Sequence, residues 1–160
     1  MPWFMTVWDS KNYPKHSFIL WLAVLNRLQT KDRLLRRGII QSAQCCLCSS
    51  AQESRSHLFF ECYFSSGVWN NILDWLQFRW KACNWDIILA WFNNSLRGRG
   101  FKQSVKRLAL AASIYCIWKE RNNRIFNLKS RNVDQVTRDV KEAILMLFSM
   151  VHSQRTISSG

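Results

Sequence analysis

Four cysteines and one histidine are concentrated between residues 45 and 62, in the stretch CCLCSSAQESRSHLFFEC. Cys45, Cys48, His57 and Cys62 follow the spacing C-x2-C-x8-H-x4-C, which supplies four soft or borderline ligands suited to tetrahedral zinc. Two residues between the first pair allow a tight turn that brings both sulfurs to one ion, with backbone N–H groups directed at the thiolates. The chain must then fold so that four side chains meet at one point. Because such a set leaves no coordination position for water, the predicted role of the zinc is structural.

Two other interpretations of this segment stay open. The cysteines could be ordinary buried residues with His57 packed on the apolar run HLFF, or a Cys/His pair could be a nucleophile, although no neighbour supplies an orienting carboxamide. Cys46 is interpreted as a bystander or an occasional substitute ligand, because only one residue separates it from Cys48. Cys83 and Cys116 sit among apolar residues and are predicted to be core cysteines.

The rest of the chain has helical periodicity. Only five glycines and two prolines occur in 160 residues, and apolar residues recur at helical spacing. We therefore predict an all-α fold: a small helical domain with a zinc-stapled loop, followed by a long helical hairpin. Predicted helices cover 16–28, about 31 to 38, 54 to about 60, 65 to about 76, 85–93, 101–126 and 132–151.

Particular residues support these helices. Phe18, Leu22, Leu25 and Leu28 form a predicted core stripe in the first helix, and Val133, Val136, Val140, Ile144 and Leu147 form one in the last. Thr30, Ser54, Ser65 and Asn132 are predicted to begin helices, and Gly38 is predicted to end one.

A break is predicted near residues 61–64. Five residues of α-helix would leave His57 and Cys62 about 140° apart, too far round for one ion. The segment NNSLRGRG (93–100) reads as a hinge or loop. It divides the prediction into a zinc-binding helical domain, 1–95, and a basic helical extension, 96–160, packed together as one domain.

The charge of the chain favours a polyanionic partner. The formal net charge is +13, and residues 96–131 contain ten basic residues and one acidic residue. We therefore predict binding of RNA or single-stranded DNA with little sequence specificity. The predicted contact residues are Arg97, Arg99, Lys102, Lys106, Arg107, Lys119, Arg121, Arg124, Lys129 and Arg131. A second cationic surface is predicted from Arg27, Lys31, Arg33, Arg36 and Arg37.

Two alternatives to nucleic-acid binding stay open. The basic residues could be solvated faces of amphipathic helices, or the chain could be a protein-interaction or dimerisation module. No membrane role is expected, because the longest apolar runs are shorter than the roughly 18–20 residues of a membrane span. No signal peptide is apparent, so an intracellular location is predicted, with the nucleus favoured over the cytoplasm.

Several short runs of the sequence resemble one known protein family. The runs YPKHSFILWLAVLNRLQTKDRLLRRG (13–38), CCLC (45–48), ESRSHLFFEC (53–62) and VW (68–69) resemble the reverse-transcriptase zinc-binding domain of plant non-LTR (LINE-type) retrotransposons. The run IWKERNNRIF (117–126) is similar to the segment that commonly follows it. The resemblance covers roughly residues 8–77 and implies that Cys45, Cys48, His57 and Cys62 bind zinc.

The resemblance does not extend to a polymerase. The chain contains no Y/F-x-D-D motif and no cluster of acidic residues for two-metal chemistry, so it is not predicted to be an enzyme. A free-standing descendant or fragment of a mobile-element protein is expected.

Overall fold

Helices form the regular structure of this computed structural model, which describes residues 7–78, 84–94 and 100–158. Within those ranges an isolated antiparallel bridge between Gln44 and Gln52 is the only strand-like pairing. The predicted all-α class is confirmed. The elements are α1 (Pro14–Val24), α2 (Lys31–Arg36), a turn of π-helix (His57–Glu61), α3 (Tyr63–Trp75), α4 (Trp85–Asn94), α5 (Phe101–Phe126) and α6 (Val133–Ser158).

The long helix α5 lies at the centre of these elements and contacts α1, α3, α6 and the π-helical turn. Its middle is buried, and Ala109, Ala111 and Ala112 are among the residues that face neighbours there. Small side chains let helix axes approach closely, while Leu108 and Ile114 fill the space between them. This helix contains the apolar run 108–118 of the sequence, and that run lies in the core of the described part of the chain.

The helical hairpin forms as predicted. The Asn132 side chain accepts the Gln135 N–H at 2.9 Å, and the Gln135 side chain accepts the Asn132 N–H at 2.9 Å. This reciprocal cap begins α6. Val136, Val140, Ile144 and Leu147 are buried, and the helix continues past the predicted end at residue 151.

The predicted core stripe of the first helix is only partly right, since Leu28 is buried and Leu22 packs against the core but Phe18 does not. α1 ends at Val24, and Phe18 is 48% exposed, whereas His16, Ser17, Leu20 and Ala23 are the buried residues. The small residues Ser17 and Ala23 lie on the packed side of the helix. Side-chain size alone therefore misled the prediction, because the side of α1 that is buried includes Ser17 and Ala23 as well as His16 and Leu20.

The predicted helix starts are partly right. Ser54 Oγ accepts the His57 N–H at 3.1 Å, and α2 follows Thr30 as expected. The first N–H of α2, however, is accepted by the Glu53 carboxylate at 2.8 Å and not by Thr30. Ser65 as a helix start is wrong: α3 begins at Tyr63, and the Ser65 hydroxyl donates instead to the Leu58 carbonyl.

Three further predictions concern the end of α2, the segment between the two predicted parts of the chain and the absence of a membrane span. Gly38, at φ +70°, follows the end of α2 in the left-handed conformation that favours glycine. Cys83 and most of the predicted hinge, 95–99, lie outside the described residues. Among the helices of the described ranges, none is long and apolar enough to cross a membrane.

Candidate metal centre

A short loop carries the first two cysteines of the predicted ligand set. Its two ends are paired by backbone hydrogen bonds, from the Cys45 N–H to the Ala51 carbonyl at 2.8 Å and from the Glu53 N–H to the Ala43 carbonyl at 2.6 Å. Ser49 donates its N–H to the Cys45 carbonyl at 2.8 Å and has a φ of +57°. This tight turn folds Cys48 back toward Cys45.

Four side chains meet beside this loop. One potential ligand atom from each of Cys45, Cys48, His57 and Cys62 lies within 4.8 Å of all the others, and Cys48 Sγ is 3.3 Å from His57 Nε2. Tetrahedral zinc–thiolate bonds of about 2.3 Å place neighbouring sulfurs about 3.8 Å apart. The donor types and their spacing therefore fit one tetrahedral ion after a small contraction.

A π-helical turn brings His57 and Cys62 to the same point. The Cys62 N–H donates to the His57 carbonyl at 2.8 Å, a hydrogen bond across five residues. That pairing returns the chain to the same side of the helix after five residues, which an α-helix does not. Cys62 itself is extended, with φ −63° and ψ 131°, so the predicted break near 61–64 is confirmed.

Backbone N–H groups surround the sulfurs. Cys45 accepts the N–H groups of Leu47 and Cys48, and Cys62 accepts those of Phe64 and Ser65 at the start of α3. Donors of this kind, together with the positive end of a helix, favour thiolate over thiol. The predicted turn with N–H groups directed at a cysteine sulfur is present at Cys45.

The protonation of the cluster follows from these contacts. A hydrogen bond from Cys62 lowers the pKa of Cys45 to about 4 despite burial, and the same bond raises the pKa of Cys62. At Cys48, burial raises the pKa, but hydrogen bonds from Ser50 and His57 outweigh it and the net shift is downward. At His57, burial lowers the pKa, and hydrogen bonds to Cys48 and Cys45 outweigh it. The four groups share protons that a metal ion would displace.

The other cysteines have different surroundings. Cys46 is outside the cluster, and its Sγ lies 3.8 Å from the Arg121 carbonyl oxygen of α5. Burial and the nearby Glu53 raise the pKa of Cys46. Cys116 is buried, as predicted for a core cysteine, and burial raises its pKa to about 12.

Four of the ten predicted nucleic-acid contacts form ion pairs with carboxylates of the protein, and their side chains are between 4% and 31% exposed. Arg107 pairs with Asp9 at 2.9 Å and Arg121 pairs with Glu53 at 2.8 Å. Arg124 and Arg131 both pair with Glu120, at 3.0 and 3.3 Å. Asp9 and Glu53 lie 98 and 68 residues from their arginines, a separation at which counting charges along the chain does not identify the pairs.

The remaining predicted contacts are placed differently. Lys102, Lys119 and Lys129 are exposed. The Lys106 ammonium lies 5.2 Å from the centre of the Phe78 ring, while Arg97 and Arg99 lie outside the described residues. The structure therefore does not gather the described members of the set on one open surface.

The second predicted cationic surface surrounds α2. Arg27, Arg36 and Arg37 are exposed, and the Arg36 guanidinium lies 3.9 Å from Asp32. Lys31 Nζ donates to the Gln44 carbonyl at 2.7 Å and Arg33 donates to the Asn26 carbonyl at 2.6 Å, so both partly serve to hold loops.

A known protein family matches the part of the chain that contains the cluster. Residues 1–69 match the family model described as zinc-binding in reverse transcriptase. The matched segment contains all four members of the cluster and ends within α3. Searches of curated proteins and of solved structures gave no significant match. The match supports the resemblance of this part of the chain to that zinc-binding domain, and α4, α5 and α6 lie beyond it.

Proposed function

We propose that the chain is a structural-zinc module that binds RNA or single-stranded DNA with low sequence specificity. We further propose that it derives, as a free-standing copy, from a reverse-transcriptase protein of a plant non-LTR retrotransposon and acts in the nucleus. The match of residues 1–69 to a zinc-binding family of reverse transcriptases supports the origin. The cluster of three cysteines and one histidine supports the metal.

The proposed ion is zinc, held by Cys45, Cys48, His57 and Cys62. The ion would staple the loop, the π-helical turn and the start of α3 together, because its ligands come from all three. Four protein ligands leave no position for a substrate or water, which supports a structural and not a catalytic role. Binding free energy at such a site becomes folding free energy.

Zinc content tests the first part of the proposal. We expect one zinc per chain by elemental analysis of protein purified without added metal, and none in Cys48→Ser. Chelation should lower the melting temperature of the wild type. The conservative variant Cys46→Ser is the matched control, since Cys46 lies outside the cluster, and it should retain the metal. A wild type without zinc would refute the metal assignment.

The exposed charge is the observation that carries the nucleic-acid proposal. The Asp9, Glu53 and Glu120 side chains are 8%, 0% and 1% exposed, and each pairs with an arginine. These internal pairs withdraw three of the ten carboxylates from the surface and leave the net charge of +13 unchanged. The charged side chains that remain exposed to a partner are therefore mainly cationic, as in proteins that contact phosphates.

The proposed contacts are the cations that remain exposed. They include Lys102, Lys119 and Lys129 in and after α5, and Arg27, Arg36 and Arg37 around α2. Lys15 is also exposed and stands above the Tyr115 ring at 5.3 Å. Lysine and arginine near aromatic rings suit an unpaired strand, whose bases stack and whose phosphates attract cations.

Fluorescence anisotropy with a short labelled RNA of mixed sequence tests this binding. Affinity should fall steeply between about 50 and 200 mM salt, and the double variant Lys119→Gln/Lys129→Gln should reduce the slope of log K against log salt by about 1.4. Arg138→Gln/Lys141→Gln is the matched control, because those cations line a groove that also contains Asp74 and Asp134. Binding that is absent, or independent of salt, would contradict the proposal.

One observation favours the alternative of a dimerisation module. Leu145, Met146, Met150 and Ile157 on α6 are between 52% and 81% exposed. Apolar residues along one helix can bury surface against a second copy. Sedimentation equilibrium would show a dimer that Met146→Glu/Met150→Glu converts to a monomer, and a monomeric wild type would refute this alternative.

A further inference from the structure

We propose that the C-terminal part of α5 is the outer shell of the metal centre, in which Arg124 and Arg121 position the loop that carries Cys45 and Cys48. This inference rests on the proposed zinc site. It assigns a metal-positioning role to residues beyond the segment 1–69 that matches the zinc-binding family. The two arginines belong to the basic stretch that the sequence associates with nucleic acid.

Arg124 holds the backbone between the first two ligands. Its Nη1 atom donates to the carbonyl of Cys46 at 3.0 Å and lies 3.4 Å from that of Leu47. Its Nε donates to Glu120 at 3.0 Å, and its Nη2 donates to the Arg131 carbonyl at 2.8 Å. The guanidinium is thus fixed by its own helix and by the following loop while it contacts the metal loop.

The contacted peptide groups are the same ones that face the Cys45 sulfur. The Cys46 carbonyl shares a peptide plane with the Leu47 N–H, and the Leu47 carbonyl shares one with the Cys48 N–H. Both N–H groups donate to Cys45 Sγ. In a planar trans peptide the C=O and N–H point in opposite directions, so Arg124 on one side aims the two donors at the sulfur on the other.

Arg121 fixes the far end of the same loop. It donates to Glu53 through Nη2 at 2.8 Å and Nε at 3.2 Å, and the two side chains are 4% and 0% exposed. Glu53 also accepts the Lys31 N–H, so the pair joins the metal loop to both α2 and α5. The Arg121 guanidinium stacks 4.7 Å from the Trp118 ring centre, which restricts its position.

The charges agree with this assignment. Three thiolates and a neutral imidazole around a divalent ion would leave one negative charge, and Arg124, which shares the Glu120 carboxylate with Arg131, brings a cation to the same loop. Side chains that orient metal ligands from outside the first coordination sphere commonly change metal affinity by 10–100-fold when they are removed. We therefore expect the zinc affinity of this chain to depend on α5.

The test compares zinc affinity in full-length variants by competition with a chromophoric chelator. Arg124→Gln should bind zinc about 10–100-fold more weakly than the wild type. Arg138→Gln, which removes an exposed cation of α6 outside the proposed RNA contacts, should stay within about twofold. Arg124→Lys keeps the charge beside Glu120 but offers a single ammonium in place of the guanidinium fork, so an intermediate affinity is expected. The Arg124→Lys variant also keeps the test decisive if Arg124→Gln fails to fold.

Two further readouts separate positioning from general stabilisation. The cobalt-substituted protein should show an altered absorption spectrum in Arg124→Gln, because the Cys45 thiolate loses its fixed donors. A purely structural role would instead destabilise the metal-free and zinc-loaded forms equally, with unchanged zinc affinity, and would overturn the proposal. Loss of RNA binding at unchanged zinc affinity would make Arg124 a phosphate contact and also overturn it. A wild type that binds no zinc would overturn both this inference and the zinc site.

Discussion

Removing the charge of Glu53 tests how much its ion pair with Arg121 contributes to the free energy of unfolding. In Glu53→Gln the amide oxygen still accepts one hydrogen bond, so the change isolates the ion pair with Arg121. Arg121 is then left buried with the Gln29 carbonyl, the Asn122 side chain and the Trp118 ring as its remaining partners. Breaking a fully buried ion pair costs about 3–5 kcal/mol because one charge loses its partner. For a chain of this size that corresponds to a drop in melting temperature of about 10 °C.

Urea unfolding followed by circular dichroism, with zinc in excess, measures this cost. Asp32→Asn is the matched control: the same chemical change breaks an exposed pair with Arg36, whose side chain is 72% exposed, at 3.9 Å. That pair should contribute less than about 1 kcal/mol. A double-mutant cycle of Glu53→Gln with Arg121→Met should give a coupling energy of about 2–3 kcal/mol. Equal, small losses in the two single carboxylate variants would refute the argument from burial.

Two further predictions concern the α1–α5 contact and the end of α5. Burial, with the neighbouring Lys15 and Lys119, lowers the pKa of His16 from 6.5 to about 4. The unfolded chain therefore binds the extra proton between these values, and the stability that this contributes is complete above pH 6.5 and lost as the pH falls toward 4. His16→Phe should remove about 2–3 kcal/mol of the difference in unfolding free energy between pH 7 and pH 4.5, and an unchanged pH dependence would contradict this. Leu128 follows α5 at φ +53° and is 89% exposed, so Leu128→Gly should stabilise the protein by about 1 kcal/mol. Thermal unfolding measures it, and any loss of stability would count against the reasoning.

The metal cluster illustrates what local sequence can predict. Its ligand types and the tight spacing of Cys45 and Cys48 are properties of a few adjacent residues, so the expected turn and its N–H groups are present. The need for a break between His57 and Cys62 followed from helix geometry alone. The break takes the form of a π-helical turn followed by an extended Cys62. That form depends on how α3 packs, and the sequence did not indicate it.

The helices show the same division. Periodicity located α5 and α6 well, because a long amphipathic pattern reflects the whole helix. It failed at α1, where Phe18 faces outward and Ser17 inward. Which side of a short helix is buried depends on how closely its neighbour approaches, and that distance is a property of the pair of helices.

By itself, the sequence determined the helical class, the four candidate metal ligands and the excess of positive charge, since each depends on residue type and near spacing. Only the tertiary structure decided what the arginines do. Arg121 meets Glu53 across 68 residues, and Arg107 meets Asp9 across 98. A buried guanidinium requires a carboxylate partner. The fold, and not the distance along the sequence, determines which carboxylate lies close enough to pair with it. The same basic segment therefore contains both arginines that pair with carboxylates of the protein and exposed cations.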